Sequence, residues 1–240
     1  MARRTKVMYW VLGVFVLVFL IQIPITQSDF EASGPWSPPL SGKTIVIDPG
    51  HGGPDGGAVG SDETEEKDIS LAVSKMLQSY LQQNGALVYL TREEDTDLAD
   101  ESTKGLARRK AEDIRNRLEF IHEKEPDFFL TVHLNAVPSS RWKGAQTFYY
   151  PSFDENGHLA KMIQEEIIRN LENTNRSPLV INGVYLLKHA KAPGALVEIG
   201  FLSNPEEQAL LTQEDYQRKM AVSIYEGVLR YLTEDMQEEE

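Results

Sequence analysis

The sequence predicts a single layered α/β domain with a mixed, mostly parallel sheet of about six strands and helices on both faces. Short runs of apolar, β-branched and aromatic residues alternate along the chain with longer segments of helical periodicity. Two of the short runs end in a histidine, His51 and His133. Because open α/β sheets bind their ligands at the carboxyl ends of their strands, these two histidines predict a functional site there.

An apolar segment at residues 7–25 precedes the domain and follows the basic residues Arg3, Arg4 and Lys6. Its length is close to the roughly 20 residues that span a bilayer. Positive charge on its first side predicts a cytoplasmic N-terminus and an exported remainder. We therefore expect residues 1–26 to be a signal anchor that attaches the protein to the membrane. A cleaved signal peptide, and thus a secreted protein, is the alternative.

Composition restricts the partners and the location. The chain has 24 basic and 37 acidic residues, and a surface this negative repels phosphate backbones, so nucleic acid is not an expected partner. Cysteine is absent, which excludes thiolate metal sites and is compatible with an oxidising, extracytoplasmic location. Residues 27–42, with three prolines, predict a linker, residues 43–233 the domain, and residues 234–240 an acidic tail.

The elements of the domain follow from their residue patterns. The first strand is apolar and β-branched, and Ile69 and Val73 then begin a helical repeat that stops at Gly85. The basic residues from Arg108 to Arg117 are expected on a solvated helix face. The short connection between the last two strands leaves room for an antiparallel pair. In order, we expect strands at 44–48, 86–91, 127–132, 146–150, 184–188 and 194–199, helices at about 67–83, 105–124, 155–173 and 214–232, and a mobile loop at 93–105.

The two histidines are the candidate metal ligands. His51 lies between Gly50 and Gly52-Gly53, in a loop that glycines shape to aim one side chain, although tight turns use the same residues. His133 lies near the end of the run DFFLTVHLN at 127–135. Asn135 lies on the same face of the strand as His133 if the strand continues that far. Alone, a histidine at a strand end is often a half-buried structural residue. Two imidazoles and one carboxylate together make a plausible zinc site with one position open for water.

A third ligand is expected among the acidic residues that enter the first helix, which are Asp62, Glu63, Glu65 and Glu66. Glu66 is spaced to face the sheet together with the buried stripe of the helix, and Glu65 fits almost as well. Periodicity does not separate the two. Negative charge that stabilises the helix N-terminus is the alternative role of this cluster.

Glu198 interrupts an otherwise apolar strand, GALVEIGFL, at residues 194–202. A carboxylate in such a strand must be paired, bound to a metal or protonated, because burial of a bare charge costs a large free energy. Burial would raise its pKa and a nearby Zn²⁺ would lower it, and a general base needs a pKa near the operating pH, so Glu198 is a candidate for that role. The remaining histidines, His122, His158 and His189, fall on predicted helices or loops and are expected to be surface or structural residues.

Five segments together resemble the zinc-dependent N-acetylmuramoyl-L-alanine amidases of bacterial cell-wall metabolism. The matching runs appear in family order and spread across the predicted domain. They are IVIDPGHGG at 45–53, Glu66-Lys67, Leu90-Thr91-Arg92, FLTVHLNA at 129–136 and LVEIGFLSN at 196–204.

The resemblance implies a role for each candidate residue. One Zn²⁺ per chain would be bound by His51, Glu66 and His133, and Glu198 would be the catalytic glutamate. Asn135 would contact substrate or the surroundings of the ligands. The family commonly has Ser-x-His-Ala-Asn where this chain has Thr131-x-His133-Leu134-Asn135, and threonine retains the hydroxyl.

The resemblance also implies a substrate, the muramyl peptides of peptidoglycan, and cleavage of the bond between N-acetylmuramic acid and L-alanine. A single anchored domain without wall-binding repeats, with the HLNA variant, looks most like the spore-cortex members of the family. Those members act at the forespore membrane and cortex, where removal of stem peptides allows muramic δ-lactam to form, and they serve in germination. An accessory activating protein is a possible partner.

Two alternatives remain at this point. One is another zinc hydrolase of the cell wall, a carboxypeptidase or a deacetylase, which product identity would distinguish. The other is a wall-binding module without catalysis. The presence of all three candidate ligands and of Glu198 argues against that module.

Overall fold

The computed structural model of the protein describes residues 37–234. The predicted anchor at 1–26, residues 27–36 of the predicted linker and residues 235–240 of the predicted tail lie outside this range. Within 37–234, none of the helices has the length and hydropathy of a membrane-spanning segment.

The described chain forms an α/β domain, which confirms the predicted fold class. Strands and helices alternate through most of its length, as the sequence pattern requires. The elements are β1 Thr44–Pro49, α1 Glu66–Gln83, β2 Leu87–Leu90, α2 Leu106–Lys124, β3 Phe128–Asn135, β4 Gln146–Tyr149, α3 Asp154–Leu171, β5 Leu179–Val180, α4 Tyr185–His189, β6 Gly194–Phe201, α5 Pro205–Leu211 and α6 Glu214–Thr233.

The six strands of the described residues form one mixed sheet in the order β2-β1-β3-β6-β4-β5. The neighbours β2, β1, β3 and β6 are parallel, whereas β4 runs antiparallel to β6 and parallel to β5. The antiparallel pair therefore exists, but it joins β4 to β6 and not the last two predicted strands. The carboxyl ends of β1, β3 and β6 meet at one edge of the sheet.

Helices cover both faces of the sheet. The larger core lies between the sheet and α1, α3 and α6, with Leu77, Ile163 and Ile224 fully buried in it. A smaller core lies under α2 and α4, and it contains Phe129 and Leu187. Successive residues of a strand face opposite sides of the sheet. The strand residues that alternate with those of the larger core therefore face α2 and α4. The polar residues among them include Asp48, Thr131, His133 and Glu198.

One expectation about the second half of the domain is wrong. Residues 184–188 do not form a strand, because Tyr185–His189 is a short helix whose Leu186 and Leu187 are buried side by side. The strand lies earlier, at Leu179–Val180, where two residues are too few to show a period. Periodicity cannot separate helix from strand in such short apolar runs.

Candidate metal centre

The structure brings His51, Glu66 and His133 together at the carboxyl edge of the sheet. One ligand atom from each lies within 4.8 Å of the others. Glu66 Oε2 lies 3.2 Å from His51 Nε2, and Glu66 Oε1 lies 2.9 Å from His133 Nδ1. Glu65, which periodicity left open, pairs instead with Lys67 Nζ at 3.1 Å. Two imidazole nitrogens and one carboxylate suit a divalent metal ion such as Zn²⁺.

Glu66 is buried and held at both oxygens. Oε1 accepts a hydrogen bond from the Leu134 backbone N–H and Oε2 accepts one from the Ala58 N–H, both at 2.8 Å. Burial would raise the pKa of this carboxyl, but His133 and His51 outweigh burial and hold the pKa of Glu66 well below its ordinary value. Glu66 is therefore an ionised carboxylate, as a metal ligand requires.

Glycines allow the two histidine segments to approach each other. A Cβ on Gly50 would lie 2.4 Å from Cε1 of His133, and one on Gly57 would lie 2.6 Å from Oε2 of Glu66. Real Cβ atoms do not come this close to other heavy atoms. His51 itself has a positive φ of 60°, which is uncommon for a residue with a side chain.

Two buried arginines hold the loop that carries His51. Arg117 donates to the carbonyl oxygen of Pro49 at 2.7 Å and to that of His51. Arg92 donates from Nε to the Pro49 oxygen at 3.1 Å and from Nη2 to the Gly50 oxygen at 2.9 Å. The expectation of a solvated face is wrong for Arg117, which is 2% exposed. Leu90-Thr91-Arg92 can be identified from the sequence only through the family resemblance, because the residue pattern of this segment does not predict a role for Arg92.

Asp48 balances the charge of Arg117. Arg117 Nη1 lies 2.8 Å from Asp48 Oδ1, and the hydroxyls of Thr91 and Thr131 donate to the same carboxylate at 2.6 and 2.8 Å. Burial would raise the pKa of Asp48, but Arg117 and the two hydroxyls together lower it below its ordinary value. Asp113 binds Arg117 Nε at 2.9 Å. The threonine that replaces the family's serine thus supplies a hydroxyl to this network.

Glu198 lies beside the three candidate ligands. It is in register with His133 across the β3–β6 ladder. Its Oε2 is buried and has no hydrogen-bond partner among residues 37–234. Burial raises the pKa of Glu198 to about 7, with the nearby Glu66 adding to the effect and His133 and His51 opposing it. A buried polar atom without a partner is uncommon and needs an explanation. A carboxylate poised in this way can exchange a proton with a bound molecule.

Asn135 ends β3, so the strand continues as far as the sequence suggested. The ladder to β6 shifts register between His133 and Asn135, however, so simple alternation does not fix where the Asn135 side chain lies. Its backbone oxygen accepts a hydrogen bond from Leu202 N–H at 2.9 Å. A role of its side chain toward substrate stays a prediction.

The three other histidines have different surroundings. His158 Nε2 lies 3.1 Å from the backbone oxygen of Glu234, and the His189 ring packs on Tyr185 with 4.4 Å between ring centroids. His122 has a buried Nε2 without a hydrogen-bond partner. The candidate metal group within the described part of the chain includes none of them.

A cavity of about 210 Å³ opens beside the metal centre. His51 and His133 line it, together with residues of α2 and of the segment that leads into α4. Lys110, Ile114 and Arg117 come from α2, and residues 183–185 come from the second segment. The cavity therefore offers a bound molecule apolar contacts and two cationic side chains next to the candidate ligands.

An α/β sheet that gathers a donor set able to hold a metal ion, with a separate buried glutamate at the same edge, is typical of metal-dependent hydrolases. Comparison with known proteins gives the family. The profile of the family described as N-acetylmuramoyl-L-alanine amidase matches residues 45–230. The chain belongs to this family, and it is an enzyme of that class.

Individual relatives agree with the family assignment. The chain is 52% identical over 234 residues to the germination-specific N-acetylmuramoyl-L-alanine amidase of Bacillus subtilis (strain 168). The aligned region covers 98% of each protein. It resembles the CwlD amidase from Clostridioides difficile, solved in complex with the GerS lipoprotein, with a TM-score of 0.78 and 43% identity over 80% of this chain and 100% of that one. The catalytic domain of CwlV from Bacillus (Paenibacillus) polymyxa gives a TM-score of 0.70 and 30% identity over 80% and 98%.

Proposed function

We propose that the protein is a Zn²⁺-dependent amidase that cleaves the bond between N-acetylmuramic acid and the L-alanine of the peptidoglycan stem peptide. One observation carries the proposal: His51, Glu66 and His133 offer ligand atoms within 4.8 Å of one another, next to Glu198, whose Oε2 is buried and unpartnered. Family membership supplies the substrate class.

The residues present fit one Zn²⁺ ion. The donor set of two imidazoles and a carboxylate is that of a catalytic zinc site, with room for a further ligand. Glu66 is ionised and held by two backbone N–H groups, so its position does not depend on the ion. When bound, Zn²⁺ supplies Lewis acidity, which polarises a carbonyl oxygen and lowers the pKa of water.

Glu198 does the proton transfer. Its carboxylate accepts a proton from the attacking water, whose oxygen bonds to the lactyl carbonyl carbon of N-acetylmuramic acid. Glu198 then returns the proton to the L-alanine nitrogen as the C–N bond breaks. The products are a free lactyl carboxyl group on the sugar and a peptide with a new L-alanine amino terminus. Asn135 helps to orient the substrate beside this centre.

The cavity beside the centre receives the stem peptide. Its lining includes His51, His133, residues of α2 and residues 183–186. A peptide bound there would extend away from the scissile amide, while the glycan strand stays outside the cavity.

The biological setting is the spore cortex. The support is the 52% identity with a relative named as germination-specific, over 98% of both chains. In this setting the enzyme acts outside the cytoplasm, held by an anchor at 1–26 and a linker at 27–42, with the catalytic domain at 43–233 and a tail at 234–240. An accessory protein is a further proposed partner, because the related CwlD amidase was solved with a lipoprotein.

The proposal is tested by incubating the full-length chain with muropeptides, with and without added Zn²⁺, and analysing the products by mass spectrometry. We expect peptides with a new L-alanine amino terminus that appear only with Zn²⁺, and about 10²–10⁴-fold slower release of them with Glu198→Gln. Released acetate or a shortened peptide carboxyl end would instead identify a deacetylase or a carboxypeptidase. A chain that binds muropeptides without cleaving them would identify a wall-binding module.

A further inference from the structure

Asp55 follows His51 in the same glycine-rich loop, and the backbone holds the two side chains together. The Gly52 N–H donates to the Asp55 carbonyl oxygen at 3.0 Å, and the Asp55 N–H donates to the Gly52 oxygen at 3.2 Å. This reciprocal pair closes a tight turn directly after His51. As a result, Asp55 Oδ2 lies 2.9 Å from His51 Nδ1.

The two ring nitrogens of His51 therefore face two different carboxylates. Nδ1 faces Asp55, whereas Nε2 lies 3.2 Å from Glu66 Oε2, on the side of the candidate metal. An ionised carboxylate only accepts hydrogen bonds, so when Nε2 binds a metal ion beside Glu66, the ring proton is on Nδ1 and is donated to Asp55. That tautomer leaves the lone pair of Nε2 available to a metal ion.

The Asp55 carboxylate is itself held in place. Oδ2 also lies 3.0 Å from Lys110 Nζ, and Oδ1 accepts a hydrogen bond from the Gly57 N–H at 3.3 Å. The side chain of Asp55 is 16% exposed and that of Lys110 is 45% exposed. Because ion pairs with exposed lysines contribute little to stability, the main effect of these contacts is on the orientation of the carboxylate.

We infer that Asp55 is a positioning residue of the metal centre, which fixes the ring orientation and the tautomer of His51 so that Nε2 faces the ion. The inference rests on the proposed function for the use of His51 as a ligand. It assigns to Asp55 a role that neither its turn position nor its ion pair with Lys110 requires. Carboxylates that support a metal-binding histidine in this way typically change metal affinity by about 10–100-fold when they are removed.

The test compares the Zn²⁺ affinity of full-length variants by competition with a chromophoric chelator. Asp127 provides a matched control, because it also pairs with a lysine, Lys43, at 3.0 Å and accepts a backbone hydrogen bond, from Thr44 at 2.8 Å. It lies at the opposite end of β1. We expect Asp55→Ala to raise the Kd for Zn²⁺ by about 10–100-fold, and Asp127→Ala to leave it unchanged.

Two further variants separate positioning from charge. Asp55→Asn keeps an oxygen that accepts from Nδ1, so its loss of affinity should fall between those of Asp127→Ala and Asp55→Ala. Lys110→Met leaves the Asp55–His51 hydrogen bond in place and should weaken binding less than Asp55→Ala. If Asp55→Ala does not fold, the Zn²⁺ affinity of Asp55→Asn replaces it as the test. An affinity equal to that of Asp127→Ala would then contradict the positioning role.

A second readout is the ¹⁵N and ¹H NMR spectrum of the His51 ring in the Zn²⁺-loaded protein. The wild type should show Zn²⁺ on Nε2 and a proton on Nδ1 that exchanges slowly with solvent, and Asp55→Ala should show faster exchange of that proton. Circular dichroism identifies any variant that has not folded. Zn²⁺ affinity of folded Asp55→Ala equal to that of the wild type, or an unchanged exchange rate of the Nδ1 proton, would overturn the inference.

These outcomes are distinct from those that test the activity. A wild-type chain that binds Zn²⁺ but releases no peptide contradicts the proposed function and leaves the role of Asp55 standing. An active wild type whose folded Asp55→Ala variant keeps full Zn²⁺ affinity contradicts the role of Asp55 alone.

Discussion

The two histidines of the candidate metal centre are held in different ways. His133 is part of β3, which is paired with β1 on one side and β6 on the other, so the sheet itself fixes its position. His51 lies beyond the end of β1 at a positive φ. Its loop is held by the side chains of Arg92 and Arg117, which reach it from β2's carboxyl end and from α2.

The difference shows where the centre is vulnerable. Many backbone hydrogen bonds share the task of holding His133, and none of them depends on a particular side chain. A few buried charges hold His51, and removal of one leaves its partner unpaired in the interior. Single substitutions should therefore damage the loop side of the centre more than the strand side, unless they remove a group that takes part in the chemistry.

Glu198 is the strand-side group with the largest expected effect on catalysis. Glu198→Gln keeps the shape of the side chain but cannot accept the proton of water. We expect kcat for muropeptide hydrolysis to fall by about 10²–10⁴-fold, the usual contribution of a general base. Zn²⁺ content, measured by atomic absorption, should stay at the wild-type level because the strand is intact. Near-normal turnover would show that another group is the base.

Arg117 tests the loop side. Arg117→Met removes the charge that faces buried Asp48 at 2.8 Å, and breaking a buried pair in this way costs about 3–5 kcal/mol of the free energy of unfolding. Zn²⁺ affinity should also fall, since the carbonyl oxygens of Pro49 and His51 each lose a hydrogen bond from Arg117. Urea unfolding of the metal-free protein measures the first effect. The exposed Arg115→Met is the control, and equal stability of both variants would contradict the difference between loop and strand.

Gly50 is the residue of the His51 loop that packs against the His133 ring. An alanine Cβ there would lie 2.4 Å from the His133 ring, so Gly50→Ala should push His133 away from its position. Such overpacking costs about 1–3 kcal/mol and should weaken Zn²⁺ binding. Gly157→Ala is the control, because its Cβ meets only ordinary contacts, at 3.5 Å from Tyr149, and alanine favours the helix. Thermal unfolding and Zn²⁺ titration of the two variants would sharpen the comparison, and equal behaviour would contradict the close approach.

Low pH should reduce the free energy of unfolding slightly through Asp48, the buried partner of Arg117 on the loop side. The pKa of Asp48 is lower in the folded protein than its ordinary value. Asp48 therefore contributes stability above about pH 4, and this contribution is lost as pH falls through the folded pKa. Urea unfolding of the metal-free protein between neutral and acid pH should show a steeper decline for the wild type than for Asp48→Asn. Parallel declines would exclude this contribution.

The same division explains what could be predicted from the sequence. His133 and Glu198 can be identified from strand patterns, because a polar residue in an apolar strand is conspicuous and strand ends converge in α/β sheets. His51 can be identified from its glycines. Family resemblance favours Glu66 over Glu65, which periodicity cannot separate, and the structure shows Glu66 held by Ala58 and Leu134.

The supports of the His51 loop could not be predicted in this way. The charge pattern of α2 predicts that Arg117 lies in solvent, because nothing along the helix shows that Asp48 lies opposite. The partners are 69 positions apart in the sequence. Asp55 likewise has no pattern that separates it from an ordinary loop residue. Long-range contacts between side chains and loop carbonyls leave no periodic signal, so the fold had to be known before these roles could be assigned.

The most direct test of the centre is a titration of the metal-free, full-length chain with Zn²⁺ while muropeptide hydrolysis is followed. We expect no activity without metal and a linear rise to one Zn²⁺ per chain. Glu198→Gln should bind one equivalent but turn over about 10²–10⁴-fold more slowly than the wild type at every Zn²⁺ concentration. Hydrolysis by the metal-free chain, or saturation with Zn²⁺ without any release of peptides bearing an L-alanine amino terminus, would contradict a zinc-dependent amidase built on His51, Glu66 and His133.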